Sequence, residues 1–561
     1  MWAVEFITMI TTGLSTTFSR LLRESLMRFI PRFFCCICVL VLLPVAALAD
    51  DTEPVIRIEG RGWGHGVGMS QYGAYGRALD GQTAADILDF YFPNTQLATS
   101  TTIPDDLKIH IFSGEGATFT TTGSIDLLDT SDNSFASIVD PIELTIGTSG
   151  SSISIHTPDG TNLCEEDTGN EIIQHCGNTP ISIELTEGEP IQTDVINQFT
   201  SIGTSGNSYQ WGKLVIRERT LSGGGVFITI EDLPMDKYLY GLAEVPPSWP
   251  DAVLQAQAVA GRTYAYTRVD ARRESSSWSL PWDLYSTVND QHYAGFTYES
   301  GAQTENWINA VDTTSAEVIL YGDSPIYAYY SSSNGGYVES AAYVFCTAVN
   351  HPCSPTAYLL SAEDDYDYVN NSRHSWVRDY SGEDLGRWIA DSSLGSIGSV
   401  TGINIAGDLG ASARTDQADV TIFGTTGSAV TKGDSFMTII NNGVIADGGD
   451  YEQQMLSTLY SIDDFFSITN EINQNTDGFL PSGWRASESN DKFGSSIQSG
   501  DFNNDGSNDV AIGVPDEGVG SLSGAGLVHI VLGGSGGWEN TSSIYQGDSG
   551  WPGYAESGDG F

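Results

Sequence analysis

One carboxylate in this chain stands in a setting that suits proton transfer. Glu244 lies within residues 238–268, directly before two prolines and a helix-forming run. The Pro-Pro pair fixes its own φ angles and pushes Val245 toward an extended conformation, so Glu244 cannot lie inside a regular helix. A carboxylate held on a stiff turn is a candidate general acid. An ordinary exposed loop carboxylate is the alternative, and the local pattern leaves both open.

A helix should follow this loop. Ser248 is a good N-cap, Pro250 falls in the first turn where its missing N–H costs nothing, and Asp251 suits the helix dipole. We therefore predict a helix that begins close to Trp249 and runs to residue 268. Small residues recur along it at spacings of three and four, so a second element can pack closely against it.

Three separate stretches resemble one protein family. Residues 238–268, YLYGLAEVPPSWPDAVLQAQAVAGRTYAYTR, are similar to the signature of the stage II sporulation protein D / amidase-enhancer (SpoIID/LytB) family. Residues 60–95 contain GHGVGMSQYGA, which resembles a second family segment, and residues 310–340 resemble its strand pair with a Gly-rich turn. Here the GHGVGMSQ segment precedes the segment with the acidic residue, which reverses the order of the sporulation protein. Circular rearrangement of a domain accommodates such a change.

The resemblance implies a role at the bacterial cell wall. Glu244 falls on the family's acidic position before a proline. This implies a lytic transglycosylase that cleaves peptidoglycan strands, with Glu244 as general acid and then general base. A non-catalytic wall-binding protein that stimulates a cell-wall amidase, or a surface adhesion protein, is the alternative.

We predict that the two signature segments share a glycan-binding groove. Glycines on both sides of His65 let the backbone approach a ligand closely, and a structural histidine in a Gly-rich turn is the alternative. Arginine suits bidentate recognition of carboxylates, so Arg262 is expected to bind a lactyl carboxylate of the glycan. Further polar contacts are predicted from four side chains: Ser70, Gln71, Tyr72 and Gln257.

Charge and the first residues indicate the compartment. The net charge of −49 excludes nucleic acid as a partner, because nothing could neutralise a phosphate backbone. Arg28 and Arg32 lie just before the apolar run 33–45, and Ala47-Leu48-Ala49 resembles a cleavage site, which predicts a signal peptide over residues 1–49. A membrane anchor is the alternative, but the run is shorter than the roughly 20 residues that a span requires. We expect a secreted protein, extracellular or in the cell envelope, with no membrane span after cleavage.

Four cysteines follow the predicted signal peptide. In an oxidising compartment their positions favour two local disulfides, with metal ligation as the alternative: Cys164 with Cys176, and Cys346 with Cys353. Some relatives carry a zinc site of His and Cys near the segment that corresponds to residues 286–295. Only His292 remains there, so no zinc is expected.

Alternating apolar and polar residues predict a β-dominated α+β main domain, with short helices over residues 84–90, 251–268 and 304–311. The chain is expected to consist of a signal peptide over 1–49, a SpoIID/LytB-like domain over 50–470, a linker over 471–490 and a C-terminal module over 491–561. Within the SpoIID/LytB-like domain, we expect the GHGVGMSQ segment at 60–95, a β-rich middle at 105–230, the Glu-bearing segment at 231–340 and a β-rich end at 400–443.

The C-terminal module resembles an FG-GAP repeat of the integrin-α type, one unit of a β-propeller. Its segment DFNNDGSND places oxygen ligands at alternating positions, as calcium prefers, and an Asx-rich turn is the alternative. The expected ligands are Asp501, Asn503, Asp505, the Ser507 carbonyl and Asp509. One repeat cannot bury its own faces, so we expect an incomplete propeller.

Overall fold

The structure is a computed structural model of the 561-residue chain. It describes residues 55–149, 152–167, 172–176, 180–203, 206–219, 225–345, 356–462, 496–500, 502, 509–515, 525–532 and 540–544. The predicted signal peptide, the second cysteine pair and the predicted linker lie outside these residues.

Helices and strands alternate irregularly along the described residues. The helices are α1 Gln71–Leu79, α2 Ala84–Tyr91, α3 Met235–Tyr240, α4 Asp251–Glu274, α5 Phe296–Glu299, α6 Thr304–Thr313, α7 Ala341–Val344, α8 Gly382–Ala390 and α9 Gly433–Ala446, with one 3₁₀ turn at Tyr451–Gln453. The strands are β1 Val55–Arg61, β2 Met69–Ser70, β3 Gln96–Thr99, β4 Leu107–Thr121, β5 Ile125–Leu128, β6 Ser134–Ile138, β7 Glu143–Ser149, β8 Ser152–His156, β9 Glu165–Asp167, β10 Ile172–Gln174, β11 Ile181–Glu184, β12 Ile191–Gly203, β13 Asn207–Tyr209, β14 Lys213–Glu218, β15 Val226–Leu233, β16 Leu284–Tyr285, β17 Glu317–Tyr321, β18 Ser324–Pro325, β19 Tyr330–Ser331, β20 Tyr337–Val338, β21 Ala362–Glu363, β22 Ser375–Ser381, β23 Val400–Ala406, β24 Asp419–Gly424, β25 Ser428–Lys432, β26 Tyr460–Ile462, β27 Ser496–Gly500, β28 Asp509–Val514, β29 Leu527–Leu532 and β30 Asn540–Ile544. The predicted β-dominated α+β class is confirmed.

The largest sheet has eleven strands and is built mainly from the β-rich middle of the chain. Its principal path runs β13-β12-β4-β15-β14-β11-β5-β6, and β7, β8 and the parallel strand β16 join at the side. Strand β15 contributes Val226, Ile228 and Ile230 to the apolar core, and the intervening Thr229 is buried as well. The predicted disulfide between Cys164 and Cys176 is confirmed, and both cysteines are buried beside this core.

Helix α4 is the central helix of the main domain, and its start differs from the prediction. Pro250 takes the N-cap position without a side-chain cap, so Ser248 does not cap the helix. Pro250 has φ −57° and ψ 146°, so its backbone is extended and the helix starts after it, where Asp251 in the first turn complements the helix dipole. The helix continues past residue 268 to Glu274, because Val269 still packs in the core and two arginines suit the last turn.

Pairing between distant segments brings the GHGVGMSQ segment to this helix. Strand β1 lies between β22 and β26 in an antiparallel sheet, which anchors residues 55–61 to the end of the main domain. Directly afterwards, the short strand β2 pairs in parallel with β19. Helices α1 and α2 then pack on α4 around buried Val253, Ala256 and Ala260.

The β-rich end forms a separate core, with β23, β24 and β25 in one antiparallel sheet against α8 and α9. The described C-terminal residues form a four-stranded antiparallel sheet in the order β27-β28-β29-β30. That size and topology fit one propeller blade, and the propeller itself stays a prediction. No helix within the described residues has both the length and the apolar character needed to cross a bilayer.

Candidate functional site

Glu244 is half-buried in the loop that joins α3 to α4. Its Oε1 accepts a hydrogen bond of 2.7 Å from the backbone N–H of His292, and Oε2 accepts a long one of 3.5 Å from Gln71 Nε2. Burial raises the pKa of Glu244 above its ordinary value, while hydrogen bonds, chiefly from the His292 N–H, act in the opposite direction. The net effect extends the protonated state to higher pH, as a general acid requires.

One predicted polar residue contacts this carboxylate, and a second supports the first. Gln71 begins α1, and its Nε2 also lies 3.4 Å from Oε1 of Gln257 on α4. Both amides are almost fully buried, so they act as fixed supports for Glu244 instead of mobile surface groups. The structure thus brings Gln71, Gln257 and Glu244 together although two of the signature segments are far apart in sequence.

Tyr330 and Gln291 complete the surroundings of Glu244, and sequence reasoning did not select them. Gln291 Nε2 donates to the Tyr330 hydroxyl at 2.8 Å and to the Gly261 carbonyl at 3.3 Å, and Tyr238 donates to Gln291 Oε1 at 3.1 Å. The Tyr330 hydroxyl also forms a hydrogen bond with Glu244 that lowers the carboxyl pKa. Tyr330 lies in the third segment of family resemblance, which was the signal that could have found it.

His65 lies on the other side of Tyr330. Its Nδ1 accepts from the Val67 N–H at 3.0 Å, and the ring donates to the Tyr330 carbonyl. Burial, followed by the positive charge of Arg414, lowers the pKa of His65 to about 4. His65 and Glu244 therefore contact the same residue, one through its backbone and the other through its side chain.

The backbone conformation on both sides of His65 favours glycine. Gly64 and Gly66 have φ angles of 101° and 67°, which disfavour other residues. A Cβ atom on Gly66 would stand 2.2 Å from Nη2 of Arg414, a fully buried side chain. At Gly66 the close approach is therefore to Arg414 within the protein.

Ser70 and Tyr72, two predicted sugar-binding residues, differ in how far they are buried. Ser70 is fully buried, caps α1 by accepting from the Gly73 N–H at 3.0 Å, and donates to Asp367 at 2.6 Å. A direct contact between Ser70 and a glycan does not fit this burial. Tyr72 is half-buried, and its ring lies 5.3 Å from that of Trp249, which belongs to the same loop as Glu244.

The position of Arg262 argues against its predicted role in carboxylate recognition. The side chain is fully buried, and Nη2 lies 3.0 Å from Oδ1 of Asp236 and 3.2 Å from the Val311 carbonyl. Nη1 donates to the Glu317 carbonyl at 3.3 Å. These contacts join α4 to α3, α6 and β17, which gives Arg262 a structural role.

A buried carboxylate anchors the loop that supplies the His292 N–H. The Asp290 side chain is fully buried and accepts from Arg272 Nη1 at 2.6 Å, Arg268 Nε at 3.4 Å and the Tyr285 N–H at 2.8 Å. Both arginines belong to α4. The loop that positions Glu244 is therefore fixed to the same helix that follows Glu244.

Most of the predicted calcium ligands, Asp501, Asn503, Asp505 and Ser507, lie outside the described residues. Asp509 is fully buried, and its Oδ2 accepts from the Phe502 N–H at 2.7 Å. Within the described part of the chain no three His, Cys, Asp or Glu side chains are grouped as metal ligands would be. Calcium binding stays a prediction.

Comparison with known proteins gives two family matches. The family described as "Stage II sporulation protein" (SpoIID) matches residues 224–321, and the FG-GAP repeat matches residues 493–531. No solved structure matches this chain. Glu244, Gln291 and His292 all lie inside the SpoIID match, whereas His65 and Gln71 lie outside it.

Stage II sporulation protein D of Bacillus subtilis is 51% identical over 149 residues, covering 25% of this chain and 41% of that protein. The amidase enhancer of B. subtilis is 35% identical over 124 residues, covering 22% of this chain and 14% of that protein. An uncharacterized Brachyspira hyodysenteriae protein is 35% identical over 126 residues, covering 22% and 32%. The chain thus spans less than half the length of each relative. From these matches, the chain carries a domain of the SpoIID family and an FG-GAP repeat.

Proposed function

We propose that this protein is a secreted or cell-envelope lytic transglycosylase that cleaves the glycan strands of peptidoglycan. The observation that carries the proposal is the state of Glu244, a half-buried carboxyl with a raised pKa, fixed by a backbone N–H in a Pro-Pro loop. Similarity to a sporulation protein and an amidase enhancer supports the cell wall as its place of action.

The proposed reaction needs one carboxyl group. Protonated Glu244 donates its proton to the glycosidic oxygen as the bond between that oxygen and C1 breaks. The C6 hydroxyl oxygen of the same sugar then attacks C1, and its proton passes to the Glu244 carboxylate. The products are a strand with a free hydroxyl and a strand with a 1,6-anhydro end, and Glu244 is again protonated. No water is consumed, so the second carboxylate of ordinary glycosidases is not required.

The other residues of the site orient the acid and the sugar. The His292 N–H and Gln71 hold the two oxygens of Glu244 in fixed directions, and Gln257 holds Gln71. His65 uses both ring nitrogens within the protein, on the Val67 N–H and the Tyr330 carbonyl, and so fixes the backbone of the residue whose hydroxyl contacts Glu244. The half-buried rings of Tyr72 and Trp249 supply the apolar face that sugar rings favour.

The test is incubation of the purified protein with peptide-free and peptide-bearing glycan strands, followed by mass analysis of the ends. We expect 1,6-anhydro ends from the unaltered protein and a rate about 10² to 10⁴ lower for Glu244→Gln. Glu305→Gln is the matched control, because Glu305 is exposed on α6 and should leave the rate unchanged. Full cleavage by Glu244→Gln would refute the assignment.

The similarity to an amidase enhancer favours a second candidate, a non-catalytic protein that binds the wall and stimulates an amidase. Under this alternative, the protein would raise the release of peptides from glycan by an added cell-wall amidase. Glu244→Gln would retain that stimulation, and no anhydro ends would form. The same two assays therefore separate the candidates.

A further inference from the structure

Two aromatic side chains outside the contacts of Glu244 form an exposed surface. Trp63, in the GHGVGMSQ segment, is 37% exposed, and Tyr451, in the 3₁₀ turn, is 47% exposed. Their ring centres are 5.8 Å apart, and the angle between the ring planes is only 5°. Tryptophan and tyrosine are the residues that most often anchor partners at binding surfaces. Two parallel rings that both reach solvent therefore mark a candidate binding surface.

The surrounding contacts hold the two rings in place. Trp63 and Ser333 form a backbone bridge, in which each N–H donates to the carbonyl of the other residue at 2.9 and 3.1 Å. Tyr451 begins a turn that the side chain of Asp450 caps. The Tyr451 hydroxyl accepts from Nη2 of Arg373 at 3.2 Å. Because the rings are already ordered, a ligand that stacks on them loses little affinity to the ordering of side chains.

Arg373 limits the charge that a ligand of this surface can carry. Its guanidinium carbon lies 4.9 Å from the centre of the Trp63 ring and 5.0 Å from that of Tyr451, where a cationic ligand would otherwise bind. Its Nη1 and Nη2 donate to the two carboxylate oxygens of Glu452 at 3.3 and 3.1 Å. The pair of donors that would bind an anion is thus occupied. The surface therefore favours an uncharged ligand.

The uncharged face of a sugar ring meets these requirements. Its C–H groups pack on aromatic rings, and its hydroxyls can hydrogen-bond to polar groups at the edge of the surface, here Arg373, Glu452 and the Tyr451 hydroxyl. A protein partner fits less well, because a specific protein interface buries about 800 Å² on each side, several times what two partly exposed rings offer. Stacking also needs no positive charge, which suits a chain with a net charge of −49.

The aromatic surface adjoins the candidate site. Trp63 is bridged to Ser333, which lies three residues after Tyr330, and the Tyr330 hydroxyl bonds to Glu244. Three residues of extended chain span at most about 11 Å. A glycan strand of several sugars is long enough to extend from the acid to the two rings. The hydrogen bonds of Glu244 described above involve neither ring.

We propose that Trp63 and Tyr451 form a second sugar-binding surface, on which sugar residues of the glycan strand stack with their uncharged faces. This inference rests on peptidoglycan as the proposed substrate but not on its cleavage. The surface holds the strand and takes no part in the chemical step. Its loss should therefore weaken binding and leave the reaction at Glu244 unchanged.

Calorimetry on the full chain with Glu244→Gln measures the binding of peptide-free glycan strands without cleavage. We expect the added change Tyr451→Ala to weaken binding about tenfold, and by the same factor at low and high salt, because stacking on an uncharged face is not screened. Tyr451→Phe keeps the ring and should keep most of the affinity. Phe423→Ala is the matched control, because Phe423 is 46% exposed on β24. With Glu244 intact, Tyr451→Ala should raise KM and leave kcat unchanged.

Unchanged affinity in Tyr451→Ala would overturn the inference, and so would a loss in Tyr451→Phe as large as that in Tyr451→Ala. A loss that disappears at high salt would assign the binding to charge and also overturn it. If Tyr451→Ala does not fold, Tyr451→Leu keeps an apolar side chain without a ring and should bind about tenfold more weakly; undiminished affinity counts against stacking.

Two further outcomes separate this inference from the proposed function. Weaker binding by Tyr451→Ala, in a protein whose unaltered form produces no anhydro ends, would support the aromatic surface and refute cleavage. Anhydro ends from the unaltered protein, with no effect of Tyr451→Ala on affinity, would overturn the surface alone. Absence of any strand binding would overturn the surface together with the proposed substrate.

Discussion

At the residue scale, the candidate site depends on two groups whose pKa values shift in opposite directions. Burial raises the pKa of the acid Glu244 and lowers the pKa of the base His65, so burial favours the neutral form of each. A neutral acid can donate a proton, and a neutral imidazole does not repel nearby Arg414. Both shifts make the stability of the folded protein depend on pH.

The Glu244 carboxyl should reduce stability as pH rises. Its pKa is higher in the folded than in the unfolded protein, so its favourable contribution is complete below the unfolded pKa and is lost as pH rises through the folded pKa. Glutamine stays uncharged at every pH, so Glu244→Gln should not lose this contribution to stability as pH rises. We expect its melting temperature to match that of the unaltered protein at about pH 4 and to exceed it at about pH 8. A Gln variant that is less stable at the higher pH would contradict the raised pKa.

His65 should behave in the opposite way. With a pKa of about 4, it stays neutral under conditions in which an unfolded histidine, whose ordinary pKa is 6.5, takes up a proton. Its contribution to stability is therefore complete above the unfolded pKa and is lost as pH falls from 6.5 through about 4. An NMR titration of the ring should show no change of its chemical shifts between about pH 8 and about pH 5.5. A midpoint near the ordinary histidine value would show that the ring is solvated.

At the element scale, the site is built from two loops and the start of α1, all of which contact helix α4 or the loop before it. The loop before α4 carries Glu244, the loop before α5 supplies the His292 N–H, and the start of α1 supplies Gln71. Asp290 ties the second loop to Arg268 and Arg272 of α4. The orientation of the Glu244 carboxyl therefore depends on the ion pairs of Asp290, which do not contact Glu244.

Asp290→Asn should impair both stability and catalysis. It removes the buried negative charge from two arginines, and loss of one partner of a buried ion pair costs about 3 kcal/mol. Denaturant unfolding would measure this loss. Because the His292 N–H would no longer be fixed on Glu244, we expect kcat to fall more than KM changes. Asp312→Asn, which alters the exposed hydrogen bond to Tyr240, is the control and should change neither quantity much. A loss of stability with unchanged kcat would refute the positioning role of Asp290.

At the scale of the whole molecule, distant parts of the chain close one domain. Strand β1 pairs with β22 and β26, and β2 pairs with β19, so residues 55–70 are fixed from two sides. This closure explains how the GHGVGMSQ segment reaches Glu244 although it precedes that residue along the chain. The FG-GAP repeat follows the main domain, and its described strands form their own sheet.

We expect calcium to bind in the FG-GAP repeat through Asp501, Asn503, Asp505, the Ser507 carbonyl and Asp509, because three carboxylates crowded into nine residues repel one another without a cation. Calorimetry on the full chain should detect one site that Asp505→Asn weakens or removes. A parallel titration with magnesium controls for general binding to an acidic protein. Identical calcium binding by Asp505→Asn would leave DFNNDGSND as an Asx-rich turn.

Local sequence determined the features that depend on neighbouring residues. The Pro-Pro pair after Val245 excludes Glu244 from a helix, and small residues predict the close packing along α4. The predicted helices over 84–90 and 304–311 agree with α2 and α6 to within two residues, and a disulfide joins Cys164 to Cys176 as expected. In each of these cases, backbone preference or short sequence separation is sufficient to decide the outcome.

Tertiary structure alone decided what surrounds each side chain. Arg262 and Arg268 lie six residues apart on one helix, which places them on different faces, and sequence could not show which face α3, α6 and β17 would cover. Nor could it show that the His292 N–H would meet Glu244, because that contact depends on Asp290 and α4. The chemistry of the acid is thus encoded locally, whereas its pKa and its partners arise from burial by segments far away in the chain.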